Sequence, residues 1–279
     1  MPEPVPDWEP ESSDDPFRYG SRLRRVRLPS GEVVDQEIPL TVEDLLDPEL
    51  GDQVTQSGPH GDWFVNLGYL FKRYYESRDD VLVCLDMKML WGIPGLQRPA
   101  PDVAIIQGIR DKKAFRRSFD VRKEGLCPAL IIEIVSPDDD EVRANDYVRK
   151  VEIYQRAGIP EYLILDMPTP KTQDRLLLTA YRLGADGRYR RIEPDAEGRL
   201  LSETTGFLFG VESDGKTLWL LDTTTGESPL DSPKERSRRA ADERATRETE
   251  ARKAAEDRAA ATEAEVARLR AELERLKGR

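Results

Sequence analysis

The chain has 279 residues, 38% apolar and 35% charged, with a net charge of −11. That length admits one large domain or two small ones, and an acidic chain repels phosphate backbones at long range, which argues against a non-specific, high-affinity nucleic-acid binder. A single histidine, His60, and two cysteines, Cys84 and Cys127, exclude a Cys/His zinc cluster; both cysteines lie in apolar stretches and are expected to be buried, reduced thiols.

The opening run MPEPVPDWEPESSDDP combines acids with prolines and lacks the basic start and apolar core of a secretory signal. Residues 1–38 are therefore expected to be largely disordered. No apolar run approaches the roughly 18 residues of a membrane span, so a cytoplasmic protein is expected. A short helix is predicted from Thr41, an N-cap for TVEDLLDPEL, closing at Pro48. A longer helix follows from about His60 to Ser77. Trp63, Leu67, Leu70 and Tyr74 recur in it at helical spacing, and Phe64 and Phe71 widen the stripe, a pattern of core packing.

Strands are predicted over 81–91 (VLVCLDMKMLW), 102–106 (DVAII) and 129–135 (ALIIEIV), the last a continuous apolar run of the kind buried on both faces of a sheet. Ser136, Pro137 and Asp138 open a helix to about Ala157, Gly158 stops it, and Pro160 leads into the strand EYLILD. Strand, helix and strand with short connections form a right-handed parallel βαβ unit. Over 175–222 the pattern changes to short strands punctuated by Asp186-Gly187 and Asp214-Gly215, an antiparallel extension of the sheet. The fold expected is α/β with a mixed sheet, as one domain over 39–230. Residues 231–279 form a charged helical tail, where Glu235–Arg239 and Glu243–Arg247 pair at i,i+4. Val266, Leu269, Leu273 and Leu276 keep a heptad spacing there, compatible with a homodimer through the tail or with a lone solvated helix.

Three residues on this scaffold carry chemistry. Glu133 stands inside LIIEIV, and a carboxylate in a buried strand costs several kcal/mol unless a cation, metal or donor compensates it. Asp102 begins a strand after Pro99-Ala100-Pro101. Lys150 lies on the following helix, four residues after Asp146 and four before Tyr154, so the three share one face. Two carboxylates on neighbouring strands supply the hard oxygen ligands that Mg2+ requires, and a nearby lysine can orient a water and stabilise charge on a scissile phosphate. A structural salt bridge to Glu133 is the competing explanation. Weaker candidates are His60 at a helix entry, Asp86 and Lys88 before the site, and Arg116, Arg117 and Arg143 as backbone contacts. No glycine-rich phosphate cradle and no Gly-x-Ser-x-Gly occurs.

The segments PLTVEDLLDPELGD, APDVAII, ALIIEIVSPDDD, DYVRKVEIYQRAGIPEYLILD and the hairpin-rich end through Asp222 resemble, over roughly 39–225, the Uma-type restriction endonucleases within the PD-(D/E)XK nuclease superfamily. The resemblance implies a restriction-endonuclease-like core, Mg2+- or Mn2+-dependent hydrolysis of DNA, and a set of site residues. Pro101-Asp102 matches the PD of the motif, Glu133 its second acid, and Lys150 a lysine moved onto the helix, since Val135 occupies the usual lysine position. Asp102 and Glu133 would hold the metal, with Asp146 and Tyr154 in support. Relatives carry an early glutamate before the first long helix; this chain has GDQVTQSGPHGDW there, with Glu49 and Asp52 nearby. Two alternatives stand beside the DNA endonuclease: a catalytically inactive nuclease-fold module assembling through its tail, and an enzyme acting on RNA.

Overall fold

In the computed structural model, residues 15–55, 58–135, 140–169 and 174–230 are described, together with Thr249, Arg252, Lys253 and Arg258 of the tail, all four helical. The chain divides into two units, Met1–Pro229 and Leu230–Arg279; the heptad segment of the tail lies outside the described residues. The first unit begins with β1 (Gly20–Arg27), β2 (Val33–Pro39), β3 (Gln53–Val54) and α1 (Gly58–Tyr74). It continues through β4 (Val81–Leu85), β5 (Met89–Leu90), β6 (Val103–Gln107), β7 (Phe119–Asp120), α2 (Val121–Glu124) and β8 (Leu130–Val135). After α3 (Asp140–Ala144), a π-helical turn (Asn145–Arg149) and α4 (Lys150–Ala157) come β9 (Glu161–Asp166), β10 (Leu177–Leu183), β11 (Tyr189–Arg191), β12 (Leu200–Leu201), β13 (Phe207–Val211) and β14 (Leu218–Asp222).

Six strands form the central mixed sheet in the order β11-β10-β9-β8-β6-β4. β8 and β9 are its parallel pair and its most deeply buried strands, as expected for a βαβ unit covered on both faces. Alternation sorts the apolar residues between two cores. Leu130, Ile132 and Ile134 of β8 join Leu67 and Phe71 of α1 on one face, while Ile131 and Val135 join Ile153 and Tyr154 of α4 on the other. β10 and β11 extend the sheet antiparallel, and β12-β13-β14 form a separate sheet. Its Phe207 meets Phe71 of α1 edge-on at 5.4 Å, locking that sheet against the helix.

Several elements differ from expectation. Within the stretch expected to be disordered, β1 and β2 pair as an antiparallel hairpin from Ser21↔Pro39 to Arg27↔Val33. Most of their residues are exposed or half-buried, so the hairpin carries no apolar stripe to announce it. The helix expected from Thr41 shrinks to a 3-10 turn, Asp44–Leu46. Thr41 does act there: its N–H and hydroxyl donate to the Asp44 carboxylate at 2.8 and 2.7 Å. The strand expected over 81–91 breaks at Asp86, whose φ is +45°; β5 leaves the main sheet and pairs in parallel with β7. The helix expected over 136–157 contains the π turn, and its first four residues lie outside those described. Gly158, at φ +77°, ends it as expected. No helix among the described residues is long and apolar enough to cross a membrane.

Candidate active site

The register of β6 against β8 builds the site. Val103 pairs with Ile132 in an antiparallel ladder, so the next position outward sets Asp102 opposite Glu133, and directly opposed residues project to the same face. Two hydrogen bonds close this corner. The Ile134 N–H donates to Asp102 Oδ2 at 2.7 Å, and the Asp102 N–H approaches Glu133 Oε2 at 3.4 Å. Glu133 is 1% exposed.

The helical segment after β8 delivers the compensating groups. Lys150 Nζ lies 2.9 Å from Glu133 Oε2 and 2.8 Å from Asp146 Oδ1. One turn further, the Tyr154 hydroxyl donates to Glu133 Oε1 at 2.5 Å. The three helical residues thus share one face, as their spacing implied. The π turn containing Asp146 is the irregularity in this helix, a feature that recurs at functional sites, and the Asp146 carbonyl accepts the Tyr162 hydroxyl at 2.9 Å. Tyr154 is wedged edge-on between Trp91 and Tyr162, which fixes its ring and the oxygen that holds Glu133.

His60 arrives from the first turn of α1, where Pro59 precedes it near the helix start. Its Nε2 lies 3.5 Å from Asp102 Oδ2, and the side chain is buried. A sequence reading treats this histidine as a helix-entry residue; the signal available was its position as the lone histidine ahead of the helix that covers the sheet. Asp86 also belongs to this neighbourhood, since the strand break turns its N–H toward the Pro101 carbonyl at 3.1 Å. Lys88 does not: it contacts Asp47 Oδ1 and the Pro48 carbonyl, both at 2.6 Å. Glu49 and Asp52, near the place of the early glutamate, bind Arg22 instead.

The electrostatics follow from crowding acids where water is scarce. Burial pushes the Glu133 carboxyl up to about 8, with the negative charges of Asp102 and Asp146 adding to it against the pull of Lys150 and Tyr154. Asp146 is raised for the same leading reason. For Asp102, burial is outweighed by the hydrogen bond and charge of His60, the charge of Lys150 and the Ile134 N–H, so its carboxyl falls below the ordinary range. Asp86 is pushed up to about 6 by burial and by the Asp102 charge, against the opposing charges of Lys150 and His60. Burial would lower the Lys150 ammonium, but Asp146, Glu133 and Asp102 more than reverse this and hold the charge firmly. Lys150 is thus a donor and a fixed positive charge, unsuited to act as a base.

Hard carboxylate oxygens with an excess of negative charge over positive are the donor chemistry that Mg2+ or Mn2+ takes. Each carboxylate offers about four lone-pair directions, so the hydrogen bonds present at Asp102 and Glu133 leave room for a cation in their donor sets. Among the described residues, no group of three or more His, Cys, Asp and Glu side chains is already gathered to hold a metal ion. The residues fit a two-carboxylate site completed by water.

The loop arginines read from sequence as backbone contacts part company here. Arg143 forms a bidentate pair with the fully buried Asp166. Arg116 bonds Glu124 at 2.8 Å and two loop carbonyls. Both are structural; Arg117 is exposed. Of the two cysteines expected to be buried, Cys84 is and Cys127 is half-buried; burial raises their thiols to about 12 and about 11.

A search of curated proteins finds no match. Among solved structures, the chain is similar to one from Anabaena variabilis titled a "putative nuclease", with 16% identity and a TM-score of 0.36, covering 60% of this chain and 76% of that one. A family model described as "Putative restriction endonuclease" matches residues 26–220. That match takes in every site residue above and more than half of the chain, which therefore belongs to the Uma2 family.

Proposed function

We propose that the chain is a metal-dependent endonuclease that hydrolyses DNA phosphodiester bonds, with Asp102 and Glu133 as the carboxylates that hold Mg2+ or Mn2+. One observation carries the reading: Asp102 and Glu133 stand opposite each other on neighbouring strands, with the Lys150 ammonium 2.9 Å from Glu133. When bound, the ion neutralises charge on the scissile phosphate and acidifies a coordinated water.

The chain's own groups set the geometry. Lys150, held charged, donates to the phosphate oxygens as negative charge builds there; the attacking water gives its proton to solvent and displaces one ester oxygen in line, and that oxygen leaves by taking a proton from solvent. Asp146 holds the lysine in place from one turn earlier. Tyr154 fixes one oxygen of Glu133, while Lys150 and the Asp102 N–H meet the other. His60 keeps Asp102 ionised and oriented.

The test is plasmid nicking in Mn2+ by the parent, Glu133→Ala and Lys150→Ala, prepared identically. Nicking by the parent alone supports the reading. Equal nicking by all three assigns the activity to a contaminant or another site, and a parent inactive on DNA but active on RNA moves the substrate while keeping the site. The engagement of Glu49 and Asp52 by Arg22 favours a second reading, in which the fold serves as an assembly module without an outer acid. A parent that nicks no nucleic acid in either metal selects it.

A further inference from the structure

Between β6 and β7 the chain makes a loop of unusual composition for an acidic protein. Arg110, Lys112, Lys113, Arg116 and Arg117 fall within eight residues, against the single acid Asp111. Two of these cations point inward and brace the loop. Lys112 Nζ donates to the carbonyls of Tyr75 and Arg78 at 2.5 and 2.9 Å, and Arg116 ties Glu124 to the carbonyls of Asp111 and Ala114. The Asp111 carboxylate accepts the Lys113 N–H at 2.9 Å, tightening the turn. On this braced frame Phe115 is 86% exposed, the most exposed aromatic ring among the described residues. Arg110, Lys113 and Arg117 flank it in sequence, all exposed and none in an ion pair among the described residues.

A large apolar ring held in water by a braced turn, with unpaired cations beside it in the same loop, matches the two faces of a nucleic-acid strand, base and phosphate. We propose that this loop grips nucleic acid, with Phe115 stacking on an accessible base and Lys113, Arg117 and Arg110 meeting the flanking phosphates. The proposal rests on the nucleic-acid substrate read above and adds a second point of contact to it. Placement agrees. The loop leaves the sheet at Gln107, about 17 Å along β6 from Asp102 at ~3.3 Å per residue, and returns with the Phe119 N–H on the Lys88 carbonyl, two residues from Asp86. The loop thus runs between the far end of β6 and the rim of the site, a span of about five nucleotide steps. An anionic membrane is the other surface that attracts aromatic and basic loops, but Phe115 has only Ala114 as an apolar neighbour at the apex, too little to insert.

The experiment measures binding of the full chain, in EDTA, to a short fluorescent duplex with a single-stranded end, by anisotropy across a salt series. Phe115→Ala is expected to weaken binding about tenfold, the usual loss for one stacked base, with the salt slope unchanged, while Phe115→Trp restores it. The double change Lys113→Ala, Arg117→Ala is expected to flatten the slope of log K against log salt by roughly 1.4 to 1.8. Equal affinity of parent and Phe115→Ala overturns the proposal. So does a parent that ignores the DNA, or one that binds vesicles containing anionic lipid more tightly. Nicking assays on the same proteins separate the two claims. Phe115-dependent binding without metal-dependent nicking keeps the loop and removes the nuclease site, and nicking indifferent to Phe115 does the reverse.

Discussion

Replacing Lys150 by methionine removes the one ammonium that three buried acids share, and the structure sets the cost. Its Nζ lies 2.9 Å from Glu133 and 2.8 Å from Asp146, and at an effective dielectric of about 20 each such contact is worth roughly 6 kcal/mol gross. Desolvating the ammonium takes back several kcal/mol, and breaking a buried pair typically leaves a net loss of about 3–5 kcal/mol. For a unit of this size that loss lowers Tm by roughly 6–20 °C. The pH dependence identifies the cause. Without Lys150 the folded-state values of Glu133 and Asp146 rise further above their unfolded values, so the folded variant binds more protons than the unfolded chain at neutral and mildly alkaline pH. Its stability therefore increases as pH falls through that window. Thermal denaturation of parent and Lys150→Met at pH 8 and pH 5.5 should show the deficit at pH 8 at least halved at pH 5.5. A deficit equal at both values would mean that the lysine contributes packing rather than charge.

His60 is the sole histidine, so its imidazole resonances can be followed by NMR without assignment. Although burial opposes it, Asp102 raises its midpoint above 6.5. Its contribution to stability is thus complete below 6.5 and lost as pH rises through the folded value; a midpoint at or below 6.5, or one unmoved by Asp102→Asn, would refute the pairing. Tyr154→Phe removes the 2.5 Å hydrogen bond to a buried carboxylate and should cost about 1–3 kcal/mol in urea unfolding, with nicking reduced but present; complete loss of nicking in a stably folded variant would give Tyr154 a larger part than positioning. Arg143→Ala strands the fully buried Asp166 and should cost about 3–5 kcal/mol while leaving the salt slope of DNA binding intact. A flatter slope would return Arg143 to the nucleic-acid surface.

How much of this was legible depended on whether a residue's role was local. The run LIIEIV announced a strand buried on both faces, and its one acid stood out because nothing within that strand could pay for it. The i,i+4 spacing of Asp146, Lys150 and Tyr154 placed all three on one helical face, and the structure keeps them there despite the π turn. What stayed hidden was set by partners distant in sequence. Asp86 and Lys88 read alike from sequence, as residues facing the site or as an exposed pair, until the φ of +45° at Asp86 breaks the strand and separates them. Arg143 looks like a solvated arginine until β9 presents Asp166 to it. His60 joins the site only because α1 packs across the sheet. The hairpin over Gly20–Pro39 buries too little on either face to leave a periodic trace, so its charged residues read as part of an unstructured start.

The most direct check on the two-carboxylate site is a crystal of the parent soaked in Mn2+ and recorded at the manganese absorption edge. An anomalous peak between the Asp102 and Glu133 carboxylates, with Lys150 still beside them, is the expected result. A site that stays empty at saturating Mn2+, with Lys150 bridging Glu133 and Asp146 unchanged, would mean that the lysine is the only cation these acids are built to hold.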